Sequence, residues 1–257
     1  MKRTHQLLAI VAASALSALA LAQSQQPGSE EAEAVADEWS GGRYVDLRHA
    51  TPITGNAAAG EAKSQLCAAC HGPDGISIAP TFPNIGGQRA DFLYWQLVEF
   101  KRNPDSPMSP LVADLSDEDM RDLSVYYAGL APTPQPAESA PEDVVPDDAT
   151  LLQRGEQLYL SGDPSKGIPA CQGCHGPDAR GPANALYTDR SGHTPYATWP
   201  ALRGQQAMYL QTRLAEYRDG KMDDSTTDFV MTGIGQRLDD DSIQALSAWL
   251  SSLPPAE

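Results

Sequence analysis

A five-residue motif, Cys-x-x-Cys-His, occurs twice in this chain of 257 residues, as CAACH at 67–71 and as CQGCH at 171–175. All four cysteines of the sequence lie in these two copies. Because two thiols next to an imidazole suit only a few kinds of group, the motif limits what the chain can fold around. The candidates are ordinary disulfides, a zinc ion, a redox-active thiol pair and covalently attached c-type haem.

The four candidates differ in what they need from the rest of the sequence. Two disulfides are the default for four cysteines in an oxidising compartment. A structural zinc ion takes four Cys or His ligands, which here would have to come from both distant motifs. A thiol–disulfide oxidoreductase needs its motif at the start of a helix between strands, and strand-like alternation is missing. Haem attachment explains the spacing, because thiols at i and i+3 can reach the two vinyl groups while the imidazole lies under the iron.

The sequence around each motif is also repeated, which indicates two similar halves. Gly87-Gln88 matches Gly204-Gln205, and apolar residues at helical spacing follow each pair. A final helix is predicted in each half, with a capping box at its start in the first half (Ser116). Each half therefore reads helix, motif, loop, helix, loop with methionine, and helix. The predicted fold class is mainly α.

Each half also contains a methionine at the same position relative to its final helix. These residues, Met108 and Met231, are predicted to lie in loops. A thioether opposite a histidine completes a six-coordinate electron-transfer iron and raises its potential relative to two histidines. We therefore predict that His71 and Met108 are the axial ligands of one iron, and that His175 and Met231 are those of the other. Met222, in a polar loop, is the nearest competitor.

Composition suggests where the domains begin and end. Residues 1–22 are interpreted as a signal peptide, and 23–55 as an N-terminal extension that is partly flexible or draped over the surface. The first domain is predicted at 56–130 and the second at 150–257. Between them, residues 131–149 hold five prolines and five acidic side chains, which is typical of a linker.

The first residues predict export from the cytoplasm. Lys2 and Arg3 precede an apolar run of about 16 residues that ends in a small-x-small cleavage site, as in a secretory signal peptide. The run is short for a membrane span, although an uncleaved anchor is the alternative. A formal net charge of −16 makes nucleic acid an unfavourable partner and suits docking to basic patches.

Taken together, these motifs resemble the dihaem cytochrome c4 family, in which two class I cytochrome c domains follow each other. The resemblance rests on CAACHGPDGISIAPTFPNIGGQ in the first half and on GIPACQGCHGPD, ALRGQ and FVMTGIGQRL in the second. It covers roughly residues 57–254 and implies two tandem helical bundles, each around one haem c. The thioether bonds to the two haems would come from Cys67, Cys70, Cys171 and Cys174.

The resemblance also implies a partner for the first proximal histidine. Pro80 matches the proline whose carbonyl accepts the imidazole N–H in similar domains, a contact that fixes the histidine tautomer. Asn184 stands at the equivalent position of the second half, inside a segment at 182–200 that looks like an insertion. The extension at 23–55 also lies outside the family pattern.

The expected function is that of a periplasmic electron carrier, with no catalytic residues. The resemblance implies reduction by a bc1-type complex or a dehydrogenase, and oxidation by a terminal haem–copper oxidase. One alternative is a fixed electron-transfer subunit of a membrane oxidase or dehydrogenase. Another is a dihaem peroxidase, which needs one iron with an open ligand position, and the paired methionines argue against it.

Overall fold

The structure, a computed structural model, describes residues 44–131 and 149–254. The predicted signal peptide and all but the ends of the predicted linker lie outside these ranges, as does the first part of the extension. Within the described ranges the regular structure is helical, with two isolated β-bridges and no longer strand pairing. The mainly α fold class predicted from the sequence is confirmed.

The helices follow the same order in both halves. The first half has a 3-10 turn at Leu47–His49 and five helices, which are α1 Ala57–Lys63, α2 Gln65–His71, α3 Ala90–Arg102, α4 Ser109–Val112 and α5 Asp117–Gly129. The helices of the second half are α6 Ala149–Ser161, α7 Gln172–His175, α8 Ala207–Arg218, α9 Thr226–Gly235 and α10 Asp240–Ser252. The first Cys-x-x-Cys-His motif therefore lies on the second helix of its half, and the second motif lies on the equivalent helix except for Cys171, which immediately precedes it.

The last helix of each half is the centre of its packing. In the first half α1 and α3 lie against α5, and in the second half α6 and α8 lie against α10. The first and last helices cross closely at a glycine. A side chain at Gly60 would overlap the carbonyl of Asp122, and one at Gly155 would overlap the carbonyl of Ala245. Both glycines are required by this close approach.

Apolar side chains fill both halves around these crossings. The second half has one large cluster, which includes Leu158, Tyr159, Ile168, Leu210, Leu246 and Leu250. In the first half, Leu93, Leu123 and Tyr127 form one cluster, and a second contains Tyr94, Val98 and Met120. The helices are thus fixed by the burial of side chains that recur at helical spacing in the sequence.

The part of the N-terminal extension that the structure describes is anchored by buried side chains. Val45 and Leu47 are 2% and 3% exposed and pack into the cluster of Tyr94 in the first half. The backbone of Val45 pairs instead with the second half, donating to the carbonyl of Asp224 at 2.7 Å and accepting from Thr226 at 3.0 Å. This segment therefore joins the two halves, because its side chains pack into the first half and its backbone pairs with the second.

The two halves also meet through a matched pair of glutamines. The Nε2 of Gln88 donates to the carbonyl of Ala201 at 2.9 Å, and its Oε1 accepts from the Ala201 amide at 3.0 Å. Gln205 makes the same two contacts with Asn84, at 2.9 and 2.8 Å. Both glutamines and their partners are separated by 117 positions in sequence, so the contact is reciprocal, as in an isologous interface.

A group of buried carboxylates lies where α3 meets the second half. Glu99 is 3% exposed, and Asp224 and Asp228 are also buried. The Tyr217 hydroxyl donates to Asp228 at 3.1 Å, and the Asn103 amide donates to Asp224 at 2.8 Å. Burial raises the pKa of Glu99 well above its usual range, and the two nearby aspartates raise it further. At neutral pH we therefore expect Glu99 to hold a proton.

Substituting the crossing glycines should destabilise the fold. In Gly60→Ala the new methyl group overlaps the α5 backbone, so we expect the free energy of unfolding to fall by about 1 to 3 kcal/mol. Urea unfolding followed by circular dichroism measures this. Gly129→Ala is the control, because a methyl group there has no neighbour within 4 Å. Equal stability of the two variants would contradict the close packing of α1 against α5.

The buried glutamic acid should make stability depend on pH. The folded chain keeps the Glu99 proton above the ordinary pKa of 4.5, so the free energy of unfolding falls as pH rises from there towards the raised value. In Glu99→Gln this fall should be smaller, as measured by urea unfolding at about pH 5.5 and about pH 8. Glu118→Gln removes an exposed carboxylate and is the control. An unchanged pH dependence in Glu99→Gln would contradict the assignment.

Candidate functional site

The four cysteines are held in pairs at the ends of two short helices. Cys67 and Cys70 lie on α2, while Cys171 precedes α7 and Cys174 lies within it. All four are unpaired and partly buried. Residues three apart on a helix share a face, so each pair presents both sulfur atoms to the same side. Because none of these four sulfur atoms is paired with another, the default of two disulfides is not realised.

The other two alternatives lack the geometry they require. Within residues 44–131 and 149–254, no group of three or more His, Cys, Asp or Glu side chains is placed to hold a metal ion among them. A redox-active thiol needs a lowered pKa. Burial instead raises the pKa of Cys171 to about 11, and it raises the pKa of Cys67 and Cys174 as well. Zinc binding and thiol exchange are both unsupported by this arrangement.

The two motif histidines are buried and oriented in the same way. His71 and His175 are each 7% exposed. The Nδ1 of His71 lies 2.9 Å from the carbonyl of Pro83, and that of His175 lies 3.0 Å from the carbonyl of Pro200. A carbonyl can only accept, so each Nδ1 carries the proton and each Nε2 keeps its lone pair. Burial lowers the pKa of both imidazoles, which favours the neutral form. A neutral, fixed imidazole is the form in which histidine binds a metal.

The acceptor in the first half is Pro83, so the expectation that Pro80 accepts the imidazole N–H is wrong. Pro80 lies inside a turn closed by the hydrogen bond from Phe82 N to Ala79 O, at 3.1 Å. The chain leaves this turn at Pro83, and only there does a carbonyl reach the buried ring of His71. The turn therefore separates the histidine from the earlier proline.

The second half uses Pro200 rather than a residue at Asn184. Pro83 and Pro200 are 117 positions apart, as are the two Gly-Gln pairs, in the segments TFPNIGGQ and TWPALRGQ. The chain runs 12 residues from histidine to proline in the first half and 25 in the second. The insertion predicted at 182–200 lies within this longer connection. Comparing the residues before each Gly-Gln pair would have identified both prolines.

The two methionines lie at the same place in the helix order but in different local structures. Met108 immediately precedes α4, whereas Met231 lies inside α9, so the expectation of a loop is wrong for Met231. Three prolines lie within four residues of Met108, and proline interrupts a helix. The second half has none there, and Ser225 caps a longer helix at its start. Both methionines are partly buried.

The competing methionine of the second half is held by another group. The sulfur of Met222 accepts a hydrogen bond from the Arg213 guanidinium at 3.1 Å. The same guanidinium pairs with Glu216 at 3.0 Å and lies over the ring of Tyr209. Met222 thus belongs to a polar cluster around an arginine.

Apolar side chains next to the motifs and methionines suit a large flat ligand. Leu66 precedes the first cysteine, Leu111 follows Met108 by one turn, and Phe229 and Val230 precede Met231. All four are exposed. Paired thiols, an oriented neutral imidazole and exposed apolar side chains together fit a covalently bound porphyrin.

Comparisons with known proteins agree with this geometry. Residues 152–254 match the sequence model of the family described as Cytochrome c. The chain is 37% identical over 206 residues to cytochrome c4 from Thiocapsa roseopersicina, covering 79% of this chain and 96% of that protein. It is 34% identical over 209 residues to a thiosulfate dehydrogenase electron acceptor from Thiomonas intermedia, covering 80% and 85% of the two chains.

A solved structure has the same architecture. The crystal structure of reduced recombinant cytochrome c4 from Pseudomonas stutzeri superimposes with a TM-score of 0.64 and is 31% identical, covering 78% of this chain and all of that one. The four motif cysteines match the attachment of two haem c groups. The molecule is accordingly an electron carrier and not an enzyme. The chain belongs to the cytochrome c4 family.

Proposed function

We propose that the chain shuttles electrons in the periplasm, from a bc1-type complex or a dehydrogenase to a terminal haem–copper oxidase. The observation that carries this proposal is the matched pair of buried histidines, each bound to a proline carbonyl. Two equivalent sites with the same fixed proximal group favour two irons of the same kind. A peroxidase would instead need two different sites.

Each haem would be held by residues of one half. Thioethers from Cys67 and Cys70 would attach the first, and those from Cys171 and Cys174 the second. Bound haem supplies the one-electron chemistry of its iron. The proximal imidazoles would present Nε2, since their Nδ1 protons are held by carbonyls.

The distal ligands of this proposal are Met108 and Met231. Met108 follows a proline-rich turn whose Ser106 hydroxyl accepts the Met108 amide at 3.2 Å, and Met231 is carried by α9. Its competitor Met222 already binds Arg213 through its sulfur. Ligands whose backbone is fixed on both sides of the haem would move little when the iron changes between the ferric and ferrous states. Such a site would suit rapid electron transfer and would leave no coordination position for peroxide.

The proposed redox partners are inferred from the net charge of the chain and from the names of its relatives. The formal net charge of −16 favours transient docking to basic patches on a redox partner. One relative is named as the electron acceptor of thiosulfate dehydrogenase, which supports a dehydrogenase as one source of electrons. A fixed subunit of an oxidase or dehydrogenase is the second candidate.

The proposed location rests on the first residues of the sequence. Residues 1–22 would direct export and be removed, leaving two cytochrome domains at 56–130 and 150–257 joined by the linker at 131–149. Among the residues that the structure describes, none of the helices has the length and apolar character needed to span a bilayer. An intact N-terminus on the purified protein would favour the anchored alternative.

Each of the two distal methionines should account for about half of one spectral band, which is lost when that methionine is replaced. The weak far-red band of ferric haem reports charge transfer from a methionine sulfur to iron. Met231→Ala should lose about half of it, and Met108→Ala the other half. Met222→Ala is the control and should keep the full band. A full band in Met231→Ala would show that another residue binds the second iron.

Electron transfer to a partner should weaken with salt. Raising the ionic strength from about 0.01 to about 0.15 M shortens the screening length from about 30 to about 8 Å, which reduces steering by surface charge. Stopped-flow oxidation of the reduced protein by a haem–copper oxidase should therefore slow. Oxidation by a small uncharged oxidant is the control and should change little. A rate independent of salt would contradict docking through the acidic surface.

A further inference from the structure

In each half, a single peptide group connects the proximal histidine to a glutamine of the opposite half. The Pro83 carbonyl accepts from His71 Nδ1 at 2.9 Å. The N–H of the same peptide, which belongs to Asn84, donates to Gln205 Oε1 at 2.8 Å. The first histidine is thus linked to the second half through one amide.

The second half repeats this connection in the reverse direction. The Pro200 carbonyl lies 3.0 Å from His175 Nδ1, and the N–H of the same peptide, on Ala201, donates to Gln88 Oε1 at 3.0 Å. Gln88 belongs to the first half. In each half, one peptide group therefore lies between the histidine and a glutamine of the other half.

The orientation of both glutamine amides is determined by several partners. Each Nε2 donates to a carbonyl across the interface, on Ala201 for Gln88 and on Asn84 for Gln205. Each Oε1 also accepts the next backbone N–H of its own half at 2.9 Å. Both side chains are buried, at 7% and 8% exposure. Since the donors and acceptors match only one orientation, the oxygen must face the peptide N–H.

Hydrogen bonds in such a chain strengthen one another. An amide that donates through its N–H becomes a better acceptor at its carbonyl. When the carbonyl that faces Nδ1 becomes a better acceptor, the imidazole gains anionic character. Its Nε2 then becomes a stronger electron-pair donor to ferric iron. A stronger axial donor stabilises the ferric state and lowers the reduction potential.

We propose that Gln205 and Gln88 are positioning residues that lower the potential of the haem in the opposite half. Gln205 acts on the haem held by His71, and Gln88 acts on the haem held by His175. The inference rests on the proposed role of both histidines as axial ligands. It assigns a function to the glutamine of the Gly-Gln pair that both halves contain.

The test is a redox titration of Gln205→Met and Gln88→Met, with the two haems distinguished by NMR of their methyl groups. Gln205→Met should raise the potential of the His71 haem alone, and Gln88→Met that of the His175 haem alone. From the size of hydrogen-bond cooperativity we expect the ratio of reduced to oxidised haem to change by about twofold to fourfold. At 59 mV per tenfold for one electron, this corresponds to about 18 to 36 mV.

A matched control separates this effect from a loosened interface. Gln206 crosses the same interface, where its Nε2 donates to the carbonyl of Ser77 at 2.7 Å, but it does not touch the Pro83–Asn84 peptide. Gln206→Met should leave both potentials unchanged. The Nδ1–H resonance of His71 in the ferrous protein is a second readout, and it should move upfield in Gln205→Met only.

The outcomes distinguish this inference from the proposed function. Retention of the far-red band in all three glutamine variants shows that the axial ligands remain in place. If the band is retained, the crosswise effect would be overturned by unchanged potentials or by equal shifts in the potentials of both haems. It would also be overturned if only the haem of the substituted half changed its potential. Absence of the far-red band from the unsubstituted protein would instead contradict the proposed function. If Gln205→Met does not fold, Gln88→Met tests the reciprocal effect independently.

Discussion

The hydrogen bond from a buried histidine Nδ1 to a proline carbonyl is the interaction on which both sites depend. It leaves Nε2 as the available nitrogen and holds the ring against its helix. Because the histidine ends the motif helix, the same contact places the two sulfur atoms relative to the imidazole. The proline must also be brought back to the ring, and each half does this with a loop of different length. The shared contact explains why the sites match although the loops do not.

The two sites are also coupled through the interface between the halves. The residue after each proline pairs with a glutamine of the other half, so the loop that holds one histidine is held by the opposite half. The N-terminal segment adds a second connection, with Val45 buried in one half and its backbone paired to the other. This segment also reaches the insertion of the second half, since Thr194 donates to the carbonyl of Ala50 at 2.7 Å. Both segments outside the family pattern therefore contribute to joining the halves.

Much of this architecture could be predicted from the sequence, because local patterns determine it. Motif spacing, helical periodicity and capping residues predicted the repeat and the helices α1, α3 and α5 of the first half and α6, α8 and α10 of the second, but not the helices α4 and α9 next to the methionines. Contacts between distant segments were harder to predict. Pro83 replaces Pro80 because a turn separates the earlier proline from the ring, and Met231 lies in a helix because no proline interrupts α9. The burial of Val45 and the crossing of Gln205 depend on how two halves pack, which no local pattern records.

In the proposed function, each half holds its iron between a carbonyl-bound histidine and a methionine, so that the protein only carries electrons. Carbon monoxide tests this most directly, because it binds ferrous haem only where a coordination position is open. We predict that the visible spectrum of the fully reduced protein does not change when carbon monoxide is added at neutral pH. A shifted Soret band, indicating a carbon monoxide complex on either haem, would contradict the account.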